Sequence, residues 1–251
     1  SRFTTIPHMP WSSGRCLKKV DNPVDKVDNS ANRHIFDHSG PVIGLFAKQP
    51  IPGQVKTRLS PPLSPEQACR LYRTALQESL DRLLNTAATI AICYAGERSW
   101  FQAGFPGLPL FAQQGEELGA RMSNAVEELF AAGGGPVLLA GSDSPDLPLW
   151  LVNEAIDHLQ QRDVVSVPCR DGGYAIIGLR QPTTALFDEI PWSTPAVLKA
   201  TRRRCRELGL SYHETAGWDD LDELADLQRL VLRSPGSLTA RHIVGELAAL
   251  L

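Results

Sequence analysis

Apolar residues follow two alternating patterns along the chain from Pro41 onward. Short apolar runs predict strands at residues 42–47, 89–95, 108–112, 136–140, 163–168, 174–179 and 210–215. Apolar residues at helical spacing predict helices near residues 65–85, 118–131, 148–161, 195–208, 222–232 and 238–250. Because strands and helices alternate, we expect an α/β fold, a three-layer α/β/α sandwich with a mostly parallel, mixed sheet.

Local signals refine the predictions for the first helix and for two of the strands. Ser64 suits the N-cap of the first helix, Pro65 its first turn, and Gln67 the capping-box position three residues after the cap. The strands at 163–168 and 174–179 are separated by only a few residues, which allows a short antiparallel pair and makes the sheet mixed.

The chain divides into an N-terminal arm and one domain. Residues 1–39 show no sustained period and are rich in Pro, Asn, Asp, Ser and Lys. We expect them to be extended or partly disordered, with Trp11 or Ile35-Phe36 as the contact with the core. Residues 40–251 are enough for a single domain with a substantial core.

Composition excludes several function classes. The net charge is −3 and Lys and Arg form no long run, so nucleic acid is not an expected partner. No apolar stretch approaches membrane-spanning length. The five cysteines lack a C-x-x-C pair, which argues against a zinc site and favours a reducing, cytoplasmic location. The six histidines form no metal-ligand spacing in the sequence, and none lies beside a candidate nucleophile.

A basic loop follows the strand predicted at 42–47. It contains Lys48, Gly53, Lys56 and Arg58. A buried strand that leads into a glycine-containing basic loop is one way in which α/β proteins bind phosphate. Val55 stands where a P-loop needs glycine, so the pattern favours a looser phosphate clamp. A solvated basic loop is the structural alternative.

Acidic residues follow a second predicted strand. Asp143 lies at the carboxyl end of the strand at 136–140, where open α/β sheets bind ligands. Mg²⁺ takes oxygen ligands, and a carboxylate of the 219–222 segment could complete a site with Asp143. Those carboxylates could equally favour a helix start through the helix dipole. Asp146 is a candidate either for the site or for a helix cap.

Two further segments combine glycine with polar residues. Asp171-Gly172-Gly173 is typical of a tight turn, and it could also let a sugar or base lie against the backbone. Gln114 and Gly119 flank the start of the helix at 118–131 and could contact a ligand or simply form a turn.

Six motifs, in this order, resemble the DUF2064 family: FAKQPIPGQVKTRLSPPLSPEQA, QGEELGARM, GSDSPDL, DGGYAIIGL, IPWST and DLDELADL. Members of that family are bacterial transferases similar to nucleotide-diphospho-sugar transferases of the GT-A fold. The first motif also resembles that of 2-phospho-lactate guanylyltransferases, and the overall plan is similar to that of the molybdenum-cofactor nucleotidyltransferases. The resemblance covers about residues 41–232.

The resemblance implies roles for individual residues. Lys56, assisted by Arg58, would contact nucleotide phosphates, and Asp143 and Asp222 would ligate Mg²⁺, with Mn²⁺ as the alternative ion. Asp171 would be a further catalytic candidate. The motifs also suggest contacts with the nucleotide or substrate for Lys48, Gly53, Gln114, Gly119, Gly172, Gly173 and Ser193. Glu223-Leu224 replaces the family's usual Thr-Pro, and Glu117 replaces an Asp.

Three functions are consistent with this pattern. The first is nucleotidyl transfer from a nucleoside triphosphate to a phosphorylated small molecule, with release of pyrophosphate. The second is glycosyl transfer from a nucleotide-sugar to a small-molecule acceptor, with Asp171 as base. The third is a nucleotide-binding module without turnover, because a fold alone does not establish activity.

Overall fold

The computed structural model describes residues 35–36 and 40–250. The prediction for the N-terminal arm, including Trp11, therefore falls mostly outside the described residues. Phe36 is described, and its side chain is buried with its ring centroid 6.0 Å from that of Phe111. The expected contact of this residue with the core is thus present.

Seven strands and seven helices occur in the described part of the chain. The strands β1 to β7 are Val42–Lys48, Thr89–Ala95, Leu110–Ala112, Val137–Gly141, Val164–Pro168, Tyr174–Leu179 and Tyr212–Glu214. The helices α1 to α7 are Pro65–Leu83, Arg98–Gly104, Leu118–Ala131, Leu149–His158, Val197–Glu207, Leu224–Arg233 and Leu238–Glu246. Short 3₁₀ helices are formed by Thr57–Leu59, Thr184–Phe187 and Ala248–Leu250.

The strands form one mixed sheet in the order β3-β2-β1-β4-β6-β5-β7. Only β6 runs antiparallel to its neighbours, and it pairs with both β4 and β5. The expected mostly parallel α/β sandwich is confirmed. The carboxyl ends of β1, β4 and β5 and the amino end of β6 therefore lie at the same edge. The connection from β1 leads to β2 on one side of the sheet, whereas the connection from β4 leads to β5 on the other, which makes the β1/β4 boundary a topological switch point.

Alternate strand residues face opposite layers, as the pleat requires. Ile43 and Leu45 of β1 pack in the cluster that α1 and α4 cover, whereas Val42 packs in the cluster on the α3 and α5 side. A third cluster joins α1 to α6 and α7. In the described part of the chain, no helix has the length and apolar character needed to span a membrane.

Helix α1 begins as its sequence predicts. The Ser64 hydroxyl accepts a hydrogen bond from the Gln67 amide at 3.2 Å, and the Gln67 side chain accepts one from the Ser64 amide at 2.8 Å. The capping box is therefore complete. Helix α2 was not predicted from the sequence, because only Phe101 and Gly104 of its seven residues are buried and no apolar period develops.

Candidate active site

The loop after β1 directs one lysine into the interior. Lys56 has a left-handed backbone conformation, with φ of 49°, and its side chain is only 3% exposed. Its ammonium donates to the Asp143 carboxylate and to the carbonyl of Leu221, and it lies 3.1 Å from Asp222 Oδ1. One cation thus joins the ends of two segments that are far from it in the sequence.

Packing of apolar neighbours brings these polar residues together. Leu59, next to Arg58, and Leu221, next to Asp222, are both fully buried in the cluster between α1, α6 and α7. As a result, Arg58 Nη1 lies 3.1 Å from Asp222 Oδ2. The Leu221 amide also donates to the backbone carbonyl of Asp143 at 2.8 Å, which fixes the two acidic segments side by side.

A tyrosine of α1 links the ends of the two central strands. The Tyr72 hydroxyl accepts a hydrogen bond from the Lys48 amide at 2.9 Å and lies 3.2 Å from Ser142 Oγ. Both Tyr72 and Ser142 are buried. These contacts therefore tie the carboxyl ends of β1 and β4 to α1.

The backbone around Asp222 is positioned by the first turn of α6. The Asp226 carboxylate accepts hydrogen bonds from the amides of Asp222 at 2.9 Å and Glu223 at 2.6 Å. Glu223 serves as the N-cap of α6, and Leu224 is its first residue. The Glu223-Leu224 pair that replaces the family's Thr-Pro therefore still forms an ordered, capped helix start beside Asp222.

Burial and neighbouring charges shift the pKa values of Lys56 and Asp220. Burial alone would lower the pKa of the Lys56 ammonium, but the neighbouring Asp143 and Asp222 carboxylates outweigh it and raise the pKa. Lys56 is therefore a cation at neutral pH. Burial, reinforced by the charges of Asp171 and Asp222, raises the pKa of Asp220 to about 6. The carboxylates together give this edge of the sheet a concentration of negative charge.

Asp146 does not cap α4. Pro148 is the N-cap of that helix, and the Asp146 side chain is completely buried against Arg233, with Oδ2 2.7 Å from Nε and Oδ1 2.8 Å from Nη2. Ser234 and Trp218 donate to the same carboxylate. Burial alone would raise the pKa of Asp146, but the hydrogen bonds and charge of Arg233 lower it overall.

Asp219 pairs with two arginines and is not part of the cluster around Lys56. Its carboxylate lies 3.0 Å from Arg233 Nη1 and 2.7 Å from Arg170 Nε. Of the three acidic residues that the sequence left open, Asp220 and Asp222 face the cleft above the switch point and Asp219 does not.

That cleft has a volume of about 950 Å³ and opens at the carboxyl ends of β1 and β4. Eight of the residues singled out from the sequence line it: Lys48, Lys56, Arg58, Asp143, Asp171, Gly173, Ser193 and Asp222. The loops after β1, β4, β5 and β7 and the segment before α5 therefore converge on one site.

Four other residues singled out from the sequence are not among those that line the cleft: Gly53, Gln114, Gly119 and Gly172. The Gln114 side chain donates to Glu128 at 2.9 Å. Gly119 has no room for a Cβ because Trp192 packs directly against it. Gly172, with φ of +89°, packs in the same way against the backbone of Pro195. Gly53 allows a turn at φ of +78°.

The cleft also contains residues that the sequence did not single out. Among them are Gln113, Cys169 and Trp192. Trp192 adjoins Ser193 within the IPWST segment, so the motif carried a signal for it. Cys169 carried no such signal, and burial raises the pKa of its thiol, which disfavours a thiolate nucleophile.

Comparison with known proteins agrees with this architecture. A crystal structure of a putative nucleotide-diphospho-sugar transferase from Desulfovibrio desulfuricans G20 is 34% identical, covers 84% of this chain and 96% of its own, and gives a TM-score of 0.77. A structure of CMP:2-keto-3-deoxy-manno-octonic acid synthetase complexed with CTP has the same fold, with a TM-score of 0.52 at 14% identity, covering 78% of this chain and 99% of its own.

A curated relative matches over a shorter region. The 2-phospho-L-lactate guanylyltransferase of Methanothermobacter thermautotrophicus is 29% identical over 132 residues, which are 52% of this chain and 59% of that relative. The match thus spans less than two thirds of the relative's length. The model of the family DUF2064, described as uncharacterized protein conserved in bacteria, matches residues 76–194.

The fold, the cleft and these relatives define a transferase of the nucleotide-diphospho-sugar transferase class. Within that class, the chain belongs to the DUF2064 family.

Proposed function

We propose that this protein is a Mg²⁺-dependent nucleotidyltransferase. It would bind a nucleoside triphosphate in the cleft at the β1/β4 switch point and transfer the nucleotidyl group to a phosphorylated small molecule. The observation that carries the proposal is the buried Lys56 ammonium, which meets Asp143 and Asp222 at the carboxyl edge of the sheet. Cationic and carboxylate groups at this position suit a nucleotide whose phosphates are held jointly by a lysine and a metal ion.

The residues at the cleft fit a Mg²⁺ ion. Asp143 and Asp222 contact the same ammonium, so their oxygens converge on one small region, and their side chains are 51% and 32% exposed toward the cleft. Mg²⁺ prefers one or two such carboxylates and takes its other ligands from water and phosphate. Mn²⁺ is the alternative ion. A bound ion would neutralise charge that develops on the phosphates.

The side chains of the chain itself would position and stabilise the phosphates. In the proposed reaction an acceptor phosphate oxygen bonds to the α-phosphorus, and the bond to the bridging α–β oxygen breaks, which releases pyrophosphate. Lys56 and Arg58 supply positive charge beside the departing group. This contribution is mainly electrostatic and positional, as expected for phosphoryl chemistry.

The relatives support this choice. One is named a guanylyltransferase, and one structure of the same fold is described as complexed with CTP. Both names belong to those proteins. For this chain they favour a nucleoside triphosphate as the donor.

Glycosyl transfer from a nucleotide-sugar is the second candidate, and the position of Asp171 favours it. Asp171 lines the cleft, and its Oδ1 accepts a hydrogen bond from the Gly173 amide at 2.8 Å. The carboxylate is thereby oriented and could accept a proton from an acceptor hydroxyl. The name of the 34% identical relative also favours this candidate.

A ligand screen separates the two candidates. Thermal unfolding is measured with each nucleoside triphosphate and with nucleotide-sugars, with and without MgCl₂. A ligand at about 100 times its Kd should stabilise the protein by about 2.7 kcal/mol. We expect a nucleoside triphosphate to do so only with Mg²⁺. Stabilisation by nucleotide-sugars alone would instead support glycosyl transfer.

Turnover is then tested with the preferred nucleotide and a panel of phosphorylated acceptors, by release of pyrophosphate. Asp143→Asn and Asp222→Asn should each lower kcat by about 10²–10³-fold. The exposed Asp157 of α4 gives the control variant Asp157→Asn, which should keep full activity. Unchanged turnover in Asp143→Asn would contradict the proposal.

A further inference from the structure

We propose a second metal site on the α4 side of the sheet, formed by Glu154, His158 and His213 and suited to a divalent transition metal such as Zn²⁺. The ligand atoms of these three residues all lie within 4.8 Å of one another. This site is separate from the cleft, because none of the three residues lines it. The sequence did not single out these residues as a group, because Glu154 and His158 are far from His213 along the chain.

The register of the edge strand brings His213 to this face. β7 pairs with β5 so that His213 lies beside Val165, whose side chain packs in the cluster under α4. The flanking residues face the other layer. Tyr212 packs against the α3 and α5 cluster, and Glu214 pairs with Arg202 of α5. Strand alternation therefore requires His213 to face α4.

Helical spacing supplies the other two groups. Glu154 and His158 are four residues apart on α4, so they lie on one face of the helix, and His158 Nε2 is 4.0 Å from Glu154 Oε1. The rings of His158 and His213 stack with centroids 3.6 Å apart and planes at 25°. Helix α4 and the edge strand thus place two imidazoles and one carboxylate side by side.

The donor set selects the kind of ion. Imidazole nitrogen suits Zn²⁺, Cu²⁺, Ni²⁺ and Co²⁺, whereas Mg²⁺ takes oxygen ligands. Three protein ligands with remaining positions for water are a common arrangement for Zn²⁺. Tetrahedral bonds of about 2.1 Å would place ligand atoms about 3.4 Å apart, so binding requires shifts of about 1 Å and a rotation of the stacked rings, which the partly exposed side chains of α4 allow.

The site would tie α4 to the three-residue strand β7 at the edge of the sheet. These elements are near the active-site loops in sequence: α4 follows the segment that contains Asp143, and β7 precedes the segment that contains Asp222. A metal bound here would hold α4 and β7 together, and these elements adjoin the two active-site segments in the sequence.

Metal titration of the full chain tests this site without any measurement of activity. Protein stripped of metal is titrated with ZnCl₂ by calorimetry and with CoCl₂ by visible absorption, with excess MgCl₂ in all samples to occupy carboxylate sites. We expect one tight site per chain, with a Co²⁺ spectrum typical of nitrogen ligation. His213→Asn and His158→Asn should each weaken binding at least about tenfold.

The chain offers matched controls. His242 and Glu246 form another helical pair four residues apart, 3.8 Å from each other, but they belong to no three-residue cluster in the described residues. His242→Asn should therefore keep the affinity of the unaltered protein, and so should the combined variant H8N, H34N and H38N. The proposal would be overturned if His213→Asn bound metal as tightly as the unaltered protein. It would also be overturned if only the combined variant H8N, H34N and H38N lost binding. His158→Asn, at a partly exposed position on α4, guards against misfolding of the strand variant.

Discussion

At the scale of single residues, the Lys56 ammonium contacts the loop after β4 through Asp143 and the 221–222 segment through Leu221 and Asp222. The Lys56 ammonium, only 3% exposed, would carry a large desolvation cost without its carboxylates. The three groups therefore depend on one another for their positions. Arg58 contacts the same cluster from its solvent side, where its side chain is 64% exposed.

We expect Lys56→Met to lower kcat by about 10²–10³-fold, because a preorganised cation beside the phosphates is lost in a site shielded from water. Arg58→Met should cost about tenfold or less, because an exposed charge is screened by solvent. Pyrophosphate release measures both variants. A larger loss in Arg58→Met than in Lys56→Met would contradict the assigned roles.

Gly172 provides a residue-scale test of the β5–β6 turn. Its φ is +89°, and a Cβ there would lie well inside van der Waals contact with the carbonyl oxygen of Pro195. Gly172→Ala should therefore lower the free energy of unfolding by more than about 2 kcal/mol. Gly107, with φ of +82° and open space around a Cβ, is the control, and Gly107→Ala should cost about 1 kcal/mol. Urea denaturation measures both, and equal costs would argue against the steric explanation.

At the scale of elements, α6 is fastened to the loop after β4 through its last residue. Arg233 pairs with the fully buried Asp146 carboxylate, and Asp219 also contacts the same guanidinium. This arrangement fixes the two ends of the 219–233 segment relative to β4. The position of Asp222 opposite Asp143 depends on it.

Asp146→Asn should lower the free energy of unfolding by about 3 kcal/mol at pH 7, because it removes one partner of a buried ion pair. Urea denaturation gives this value. Asp157→Asn, at an exposed position on α4, is the control and should change stability little. If Asp146→Asn lowered the free energy of unfolding by less than Asp157→Asn does, the Arg233 guanidinium would not need the Asp146 carboxylate as its partner.

The same pair predicts a pH dependence. The pKa of Asp146 is lowered in the folded protein, so its stabilising contribution is fully present above the ordinary Asp pKa of about 3.9. It is lost as the pH falls through that value toward the folded pKa. The stability difference between the unaltered protein and Asp146→Asn should therefore shrink below about pH 4. A difference that stays constant down to pH 3 would contradict this assignment.

At the scale of the whole molecule, the strand order decides where a ligand can bind. Only at the β1/β4 boundary do the connections diverge and leave a crevice at the carboxyl edge. The loops that surround this crevice belong to segments spread over more than half of the chain. Binding of one nucleotide should therefore order several segments that are distant from one another in the sequence.

Hydrogen exchange read by mass spectrometry should detect this pattern. With a nucleoside triphosphate and Mg²⁺, amide protection should increase in residues 49–59, 142–146 and 219–223, because bound phosphates and metal order these loops. Helix α7, which lies outside the cleft, should show no change and serves as the internal control. Protection confined to the β7 edge would contradict binding at the switch point.

Much of this organisation could be predicted from the sequence because its signals are local. The Ser64–Gln67 capping box and the apolar periods of the longer helices act over a few residues. Helix α2 and the structural roles of Gly119 and Gly172 could not be predicted. Their causes are contacts with residues distant in the sequence, such as the packing of Trp192 against Gly119.

The sequence by itself determined the succession of strands and helices other than α2, and the basic and acidic loops that follow β1 and β4. Backbone propensity and amphipathic period are properties of short segments. Only the tertiary structure decided that Lys56 meets Asp143 and Asp222, that Asp146 and Asp219 pair with Arg233, and that His158 stacks on His213. These partners are brought together by strand order and by the burial of neighbouring apolar side chains, which no local pattern specifies.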